Sequence, residues 1–409
     1  MFPKKIRPMK ITTWFKSLFE VWRREFRLVF TDAGVMLFFF ALPLVYPLVY
    51  TIIYNPEIVT DIPIVVVDHA RTSDSRQLAR MFDDTQSIKV ASYAADLEEA
   101  RRAMREKKCY GILEIPSDYS KRLGNGDQAV VAFYDEMSLL LRYRAFMSAM
   151  TDIQLELGQQ ITMQRVSTGG LLTSDLAANG MPVKNEAFFL GDPTQGFASF
   201  IMPGIVVLIL QQSMILGIAM LAGNAAERRR RNRGYDPLAV DASPVVTVLG
   251  RTLCYVIIYL PMSYYILTMV PAIFALPHVG SAADYMPFIF AMLVASAMLG
   301  QSIAVFITER ETSMLVIVFT SVFFLFLSGL TWPRYAMNPF WTAVADCIPA
   351  TWGVEGIIRI LANGADISEV SRYYVNEWIL AAIYFVTAVI LARFLSPRLA
   401  KTTPPAKNA

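Results

Sequence analysis

The sequence contains no Gly-Lys dipeptide anywhere in its 409 residues. A P-loop includes that pair, because its lysine binds the nucleotide phosphates. The chain therefore has no P-loop of its own. No Ser-His-Asp set and no pair of carboxylates is marked by its local context either, so we predict no catalytic residue in this chain.

Residues that bind metals or form disulfides are also scarce. The two histidines, His69 and His278, are far apart and have no cluster of ligands around them, so no metal site is predicted. The three cysteines, Cys109, Cys254 and Cys347, are widely separated and imply no disulfide framework. The net charge of +3 is too weak to indicate a nucleic-acid partner.

Charged residues make up only 17% of the chain, whereas 55% of it is hydrophobic. The apolar residues gather in six runs, at 33–54, 197–222, 250–276, 284–307, 313–331 and 374–395. A bilayer core of about 30 Å needs about 20 apolar residues per helix. The sequence therefore predicts an α-helical polytopic membrane protein with six transmembrane helices, the last five of them within residues 197–395.

The basic residues predict the orientation in the membrane. They are concentrated in the leader at 1–32, in the segment after the second apolar run, and in the tail at 396–409. Short segments rich in lysine and arginine stay on the cytoplasmic side. Both termini are therefore expected in the cytoplasm, and residues 55–196 outside it. Charges within the apolar runs are few, which argues against a proton-coupled carrier.

The leader has a helical periodicity from Trp14 to Phe30. Its aromatic residues, such as Phe15, Phe19 and Phe26, recur on one side of the helix, and its basic residues fall largely elsewhere. This pattern is typical of an amphipathic helix that lies at the inner membrane interface. The alternative is a basic leader that is only solvated.

The segment at 55–196 has the composition of a soluble domain. Strands are predicted at 62–67, 88–92, 110–115 and 129–134, with helices at 75–82 and 96–107. Alternating strands and helices indicate a small inserted α/β domain. A longer helix is predicted at 138–165, returning toward the membrane, and the stretch at 169–193 is expected to be a linker.

The segment at 331–372 is too polar and too broken to span a membrane. It is interrupted by Trp332, Pro333, Trp341, Pro349 and Trp352. A re-entrant hairpin on the outer side, before the last helix, fits this pattern best. Glu355 and Arg359 lie four residues apart and are expected to pair on one helical face, either to seat this hairpin or to gate it.

Three stretches of the sequence resemble one family of membrane proteins. They are IPIVVVDHARTSDSRQLARMF at 62–82, GNAAERRRRNRGYDPLAV at 223–240 and FLSGLTWPRYAMNPFWTAVADCIPATWGVEGIIRILANGADI at 326–367. With them the chain resembles the permease subunit of an ABC exporter of the ABC-2 type. The resemblance is to the subgroup with a large extracytoplasmic domain between the first and second transmembrane helices.

The resemblance implies a transport subunit rather than an enzyme. ATP and Mg would bind to separate ABC ATPase subunits, and no cofactor would bind to this chain. A second permease, either the same chain or a relative, would complete a dimer. Membrane lipid and a periplasmic adaptor are further expected partners, and the substrate would be amphiphilic or lipid-like.

The resemblance also implies that a cytoplasmic coupling loop at 223–249 contacts the ATPase. Its candidate residues are Glu227, Arg228, Arg229, Arg230, Arg231, Arg233, Gly234 and Tyr235. The alternative is that the arginines serve only as a topology signal.

Four residues within the spans are candidates for the transport pathway. Gln211 and Gln212 lie in the middle of the second span, and Phe319 and Phe323 lie in the fifth. The glutamines could instead bond between helices, and the phenylalanines could face lipid or the core. Two other functions stay open, namely a membrane-anchored receptor whose outer domain senses a ligand, and a channel or secondary carrier.

Overall fold

The computed structural model describes residues 11–54, 58–125, 127–136, 139–168, 196–234 and 236–394. The chain divides into two compact units, and we name residues 1–57 with 189–409 the helical unit and residues 58–188 the α/β unit. The linker predicted at 169–193 and the tail predicted at 396–409 lie outside the described residues.

Two consecutive helices begin the described chain. The leader forms α1 (Ile11–Thr31) and the first apolar run forms α2 (Ala33–Tyr54), as predicted. Asp32 separates them. Its side chain accepts hydrogen bonds from the backbone N–H groups of Gly34 and Val35, each at 3.0 Å, and so caps the start of α2.

The two faces of α1 differ in chemistry. Phe15 and Phe19 are exposed, as expected for a helix at a membrane interface. The buried face consists of Val21, Glu25 and Val29, spaced four residues apart. A carboxylate therefore lies between two valines in the buried register of α1.

The α/β unit alternates strands with helices, as predicted. Its elements are β1 (Ile62–Asp68), α3 (Ser73–Asp83), β2 (Ile88–Tyr93), α4 (Leu97–Arg105), β3 (Gly111–Ile115), α5 (Tyr119–Asn125), β4 (Ala132–Asp135) and α6 (Leu140–Thr168). The strands form one sheet in the order β2-β1-β3-β4. β1 is parallel to both of its neighbours, and β4 is antiparallel to β3.

The central strand β1 is apolar on both faces because both faces are covered. Ile64 and Val66 belong to the core that includes residues of α3 and α6. Val65 and Val67 pack on the other side with Ala100 of α4. The unit thus has the layered α/β architecture that its sequence pattern indicates.

The helical unit continues with four long helices. They are α7 (Phe197–Arg231), α8 (Pro244–Ile273), α9 (Ala282–Ala304) and α10 (Arg310–Leu327). α9 packs against both α7 and α8 and is largely buried. α10 packs on α7 but leaves most of its apolar surface exposed.

The segment at 331–372 is broken into short pieces, as predicted. A 3-10 turn (Arg334–Ala336) precedes α11 (Pro339–Asp346) and the buried helix α12 (Pro349–Asn363). The chain then forms the last helix, α13 (Ser371–Phe394). With α2 and α7 to α10, this gives six helices among the described residues that are long and apolar enough to cross a bilayer, which confirms the predicted number.

Candidate coupling site

Six residues form a charged network where α1 packs against α8, beside the end of α7. They are Arg24 and Glu25 on α1, Arg228 on α7, Asp236 in the connection from α7 to α8, and Arg251 and Tyr255 on α8. A glycine allows the close approach of the two helices, since a Cβ atom on Gly250 would lie only 2.9 Å from Cγ1 of Val21.

Glu25 provides the first carboxylate of this network, and only 2% of the residue is exposed. The hydroxyl of Tyr255 donates to its Oε1 at 2.5 Å. Its Oε2 lies 3.5 Å from Nε of Arg251 and 3.4 Å from Nη1 of Arg24. The leader is thereby hydrogen-bonded to Tyr255 and ion-paired with Arg251, two positions one turn apart on α8.

Asp236 provides the second carboxylate and is equally buried. It accepts from Nε of Arg228 at 3.2 Å and from the backbone N–H of Leu238 at 3.1 Å. Nη2 of Arg24 lies 3.4 Å from its Oδ2. Because Arg24 contacts both carboxylates, it links the leader, the end of α7 and the connection that follows.

The network holds its acids in the ionised form. Burial by itself would raise the pKa of Glu25, but Arg251, Arg24 and the Tyr255 hydroxyl outweigh burial, so the pKa lies below its ordinary value of 4.5. Burial would also raise the pKa of Asp236, but the hydrogen bonds from Arg228 and from the backbone N–H of Leu238 outweigh burial. The pKa of Asp236 therefore also lies below its ordinary value. Three arginines against two carboxylates leave the network with one net positive charge.

A second polar junction joins the start of α2 to α7 and α10. Oδ2 of Asp32 accepts from Nδ2 of Asn224 at 2.6 Å, and its Oδ1 lies 3.2 Å from Nη2 of Arg310. A Cβ atom on Gly223 would lie 2.8 Å from the backbone nitrogen of Arg310. Glycine at 223 therefore permits the contact between α7 and the start of α10.

The loop conformation predicted for 223–249 is wrong in its first part, because α7 continues through Arg231. The predicted contact of these residues with the ATPase stays a prediction. The residues from Ala225 to Arg231 are good helix formers, and no glycine or proline occurs among them. Oε1 of Glu227 accepts from the backbone N–H of Arg310 at 3.1 Å. Glu227 therefore stabilises the start of α10.

The other residues of the predicted coupling loop have varied surroundings. Nε of Arg229 is buried without a hydrogen-bond partner in the described part of the chain, whereas Arg230 donates to Oε1 of Glu309 at 2.7 Å. Arg231 and Arg233 are exposed.

The turn after α7 depends on backbone conformations that glycine favours. Gly234 has a φ of 91°, in the left-handed region, and Arg233 before it has a φ of 53°. Tyr235, the last predicted residue of the coupling loop, lies outside the described residues.

Gln211 bonds between helices within the chain. Its Oε1 accepts from the backbone N–H of Ala350 at 2.7 Å, in the first turn of α12, and from Oγ of Ser296 on α9 at 3.3 Å. The side-chain amide of Gln211 thus provides a buried acceptor for one of the N–H groups that are free at a helix N-terminus. A bond between helices is the alternative that we gave above to a role in the transport pathway.

The other three pathway candidates do not form a common site with Gln211. Gln212 is its neighbour in sequence, and both polar atoms of its amide are buried without a partner in the described residues. Phe319 and Phe323 lie on the exposed side of α10, with 74% and 40% of each residue exposed. Phe323 also contacts the ring of Trp341, with 5.9 Å between ring centroids.

The expected pair in the 331–372 segment is present. Nη1 of Arg359 lies 3.5 Å from Oε2 of Glu355. Arg334 extends the pair, since its Nη1 lies 3.4 Å from Oε1 of Glu355 and its Nη2 bonds Asp346. The side chains of this segment therefore fasten its turn to α11 and α12.

The remaining candidates of that segment have structural positions. Nε1 of Trp332 donates to the backbone oxygen of Ala336 at 3.2 Å, across the 3-10 turn that follows Pro333. Pro349 is buried at the first position of α12, where its missing N–H costs nothing.

Sequence reasoning missed several of the best-connected residues. These are Glu25, Asp32, Asn224, Asp236, Arg251, Tyr255 and Arg310. One signal was present in α1, where a glutamate stands four residues from Val21 and four from Val29. An acid in an apolar register is a candidate for a buried, paired charge.

The family model described as ABC-2 family transporter protein matches residues 34–390, which includes all six candidate spans almost entirely. The chain belongs to the ABC-2 transporter family. Comparison with curated proteins gives no match. As an ABC-2 transporter, the protein is a membrane permease of a kind that works with ABC ATPase subunits, and this favours transport over the receptor, channel and carrier alternatives.

Proposed function

We propose that this ABC-2 transporter exports an amphiphilic or lipid-like substrate across a bacterial inner membrane, as a dimer with a second permease. ATP and Mg bind to partner ATPases, and both termini of the chain are cytoplasmic. The α/β unit lies outside the cytoplasm, where it meets the substrate at the exit or docks a periplasmic adaptor. The basic leader and the arginines at the end of α7 support this orientation.

The observation that carries the proposal is the charged network. It ties the leader, the end of α7, the following connection and the start of α8 together through two buried carboxylates. A partner that pushes on any one of these elements moves the other three, because breaking one partner from a buried ion pair is strongly unfavourable. The network therefore suits the transmission of force from an ATPase to the spans.

The second polar junction extends this transmission to two more spans. Asp32 links the start of α2 to Asn224 on α7 and to Arg310 at the start of α10. A displacement of α7 at this level is thus passed to α2 and α10 as well. The charged network and the junction together connect four of the six spans at one end.

The test is the variant Tyr255→Phe, expressed with the ATPase that copurifies with the chain. We expect more ATP hydrolysed per substrate molecule exported, because the phenol no longer bonds the leader to α8 while both arginine contacts of Glu25 stay. Tyr264→Phe is the matched control, since Tyr264 lies on the exposed side of the same helix.

Two results would contradict the proposal. One is an unchanged ratio of ATP hydrolysed to substrate exported in Tyr255→Phe at normal protein level. This result would mean that the network does not couple ATP hydrolysis to export. The other is the absence of any ABC ATPase from the complex purified with the chain. Robust ATP hydrolysis by the chain alone would contradict the assignment as a transport subunit, because the sequence has no P-loop.

A further inference from the structure

Glu377 is an acid within α13 that the charged network and the predicted pathway do not include. It lies in the second turn of α13 and is fully buried, with 0% of the residue exposed. Both of its carboxylate oxygens are buried without a hydrogen-bond partner in the described residues. A buried carboxyl without a partner needs a physical explanation.

Three helices, α7, α9 and α12, meet close to Glu377. A Cβ atom on Gly353 of α12 would lie 3.5 Å from Oε1 of Glu377, 3.1 Å from Cγ of Met292 on α9 and 2.8 Å from Cγ1 of Val207 on α7. The carboxyl of Glu377 therefore faces α12 at the point where α12 meets α7 and α9. Thr351, on the same part of α12, is buried too, and its hydroxyl has no partner in the described residues.

The titratable residues of the neighbouring helices form no bond with Glu377 in the part of the chain that the structure describes. On α12, Glu355 and Arg359 pair with each other. On α9, Asp284 accepts from Ser281 and the hydroxyl of Tyr285 bonds Thr268. In the described part of the chain, none of these groups bonds or pairs with Glu377.

The same holds for α8 and for α13 itself. On α8, Arg251 pairs with Glu25, Tyr255 donates to Glu25, and Tyr259 donates to Ser213. The other titratable residues of the two helices form no bond with Glu377 in the described part of the chain, and they are Cys254, Tyr264, Tyr265, Arg372, Tyr373, Tyr374, Tyr384 and Arg393. Within the described residues, therefore, no cation offsets a negative charge on Glu377.

We propose that Glu377 is a proton-binding site of the helical unit, protonated while α12 is seated against α7 and α9. An isolated ionised carboxylate in apolar surroundings is strongly unfavourable, and such a group takes up a proton instead. When α12 leaves its seat and water reaches the carboxyl, the proton is released to that water. The position of α12 is thereby linked to proton uptake and release.

This site differs from the charged network in chemistry and in place. The network keeps its carboxylates ionised beside arginines, whereas Glu377 faces Gly353, which Val207 and Met292 also approach. The proposal does not depend on the identity of the substrate or of the ATPase, so its test uses the purified chain alone.

The first measurement is infrared spectroscopy of the purified chain near neutral pH. Glu377→Gln should lose the C=O stretching band of a protonated carboxyl. Glu355→Gln, the matched control with an ion-paired acid, should lose a carboxylate band instead. Loss of a carboxylate band in Glu377→Gln would overturn the proposal, because Glu377 would then be ionised.

The second measurement needs no variant and therefore does not depend on the folding of one. Dicyclohexylcarbodiimide, a lipophilic reagent, adds to protonated carboxyl groups and leaves a stable acylurea that mass spectrometry locates. We expect the adduct on the peptide that contains Glu377, in falling amount as the pH rises. A native chain modified at Glu355 but not at Glu377 would contradict the proposal.

The third measurement tests the link to α12. Hydrogen exchange of the α12 amides is compared between wild type and Glu377→Gln at each pH, which removes the intrinsic pH dependence of exchange. At alkaline pH we expect the wild type to lose protection that Glu377→Gln retains. Equal protection at every pH would show that protonation of Glu377 and the position of α12 are independent.

Discussion

The carboxylate of Glu227, near the end of α7, accepts a hydrogen bond from the backbone N–H of Arg310, the first residue of α10. The distance from Oε1 to the nitrogen is 3.1 Å. The side chain of Glu309, which precedes α10, makes no capping bond of its own. One helix therefore caps another across 83 positions of sequence.

We expect Glu227→Ala to lower the free energy of unfolding by about 1 kcal/mol, as loss of a capping group does. Glu227→Gln should lose less, because its amide oxygen still accepts the bond. Arg233→Ala is the control, since Arg233 is exposed beyond the end of α7. Thermal unfolding of the detergent-purified chain measures all three.

The same variants separate a structural role from docking on the ATPase. If Glu227 acts through α10, export should fall together with the amount of folded protein. Lost export in Glu227→Gln with normal stability and normal protein level would instead indicate contact with the ATPase.

Adjacent glutamines in α7 should respond in opposite ways to the same substitution. Gln211→Met leaves the N–H of Ala350 and the hydroxyl of Ser296 without their acceptor, and should cost about 1–3 kcal/mol. Gln212→Met removes an amide that has no partner in the described residues, and should be neutral or stabilising. Equal losses in the two variants would contradict the role of Gln211 in seating α12.

The ionised acids of the charged network predict a loss of stability in acid. The pKa of Glu25 is lower in the folded chain than its ordinary value of 4.5, so its contribution is complete above that pH. The contribution is lost as the pH falls through the folded-state pKa, because the folded chain must then take up a proton.

Glu25→Gln should therefore flatten the fall in melting temperature below a pH of about 4.5. Glu20→Gln, which changes an exposed glutamate on the same helix, should leave the curve as it is. A wild-type melting temperature that rises as the pH falls through this range would mean that Glu25 is neutral in the folded chain.

The orientation of the α/β unit is tested by a cysteine at Asn125, an exposed position at the end of α5. The background is Cys347→Ser, because Cys347 is the exposed native thiol, whereas Cys109 and Cys254 are buried. An impermeant thiol reagent should label Asn125→Cys in intact spheroplasts. Asn232→Cys, beyond the end of α7, should be labelled only after lysis, and the reverse result would invert the predicted topology.

The transmembrane helices could be predicted because the lipid bilayer imposes their length and their apolar composition. A chain that crosses a bilayer must satisfy its backbone bonds within helices of about 20 apolar residues, and such runs are visible in sequence. Their ends were less predictable, as at α7, where the apolar run stops near 222 but the helix continues to Arg231. The apolar run indicates only the part of the helix that lies in lipid, whereas residues with high helix propensity extend the helix beyond the membrane.

The polar contacts that define the site could not be predicted in the same way. Glu25 and Tyr255 are 230 positions apart, and no local period connects them. Gln211 is conspicuous in the sequence because an amide in an apolar run is costly, yet its partner, a backbone N–H of α12, has no signature in sequence. Glu377 is not conspicuous, because a single acid near the start of a span resembles an acid at its polar edge.

The ends of α12 are both bonded to other parts of the helical unit. Gln211 holds its first turn, and the backbone oxygen of Leu361 in its last turn accepts from the N–H of Val279, at 3.1 Å. A half-displaced α12 would leave the buried N–H of Ala350 without its acceptor, so intermediate positions should be poorly populated. If α12 leaves its seat, as the proposal for Glu377 requires, we expect it to move between discrete positions, and single-molecule distance records across it should show steps and not a continuous drift.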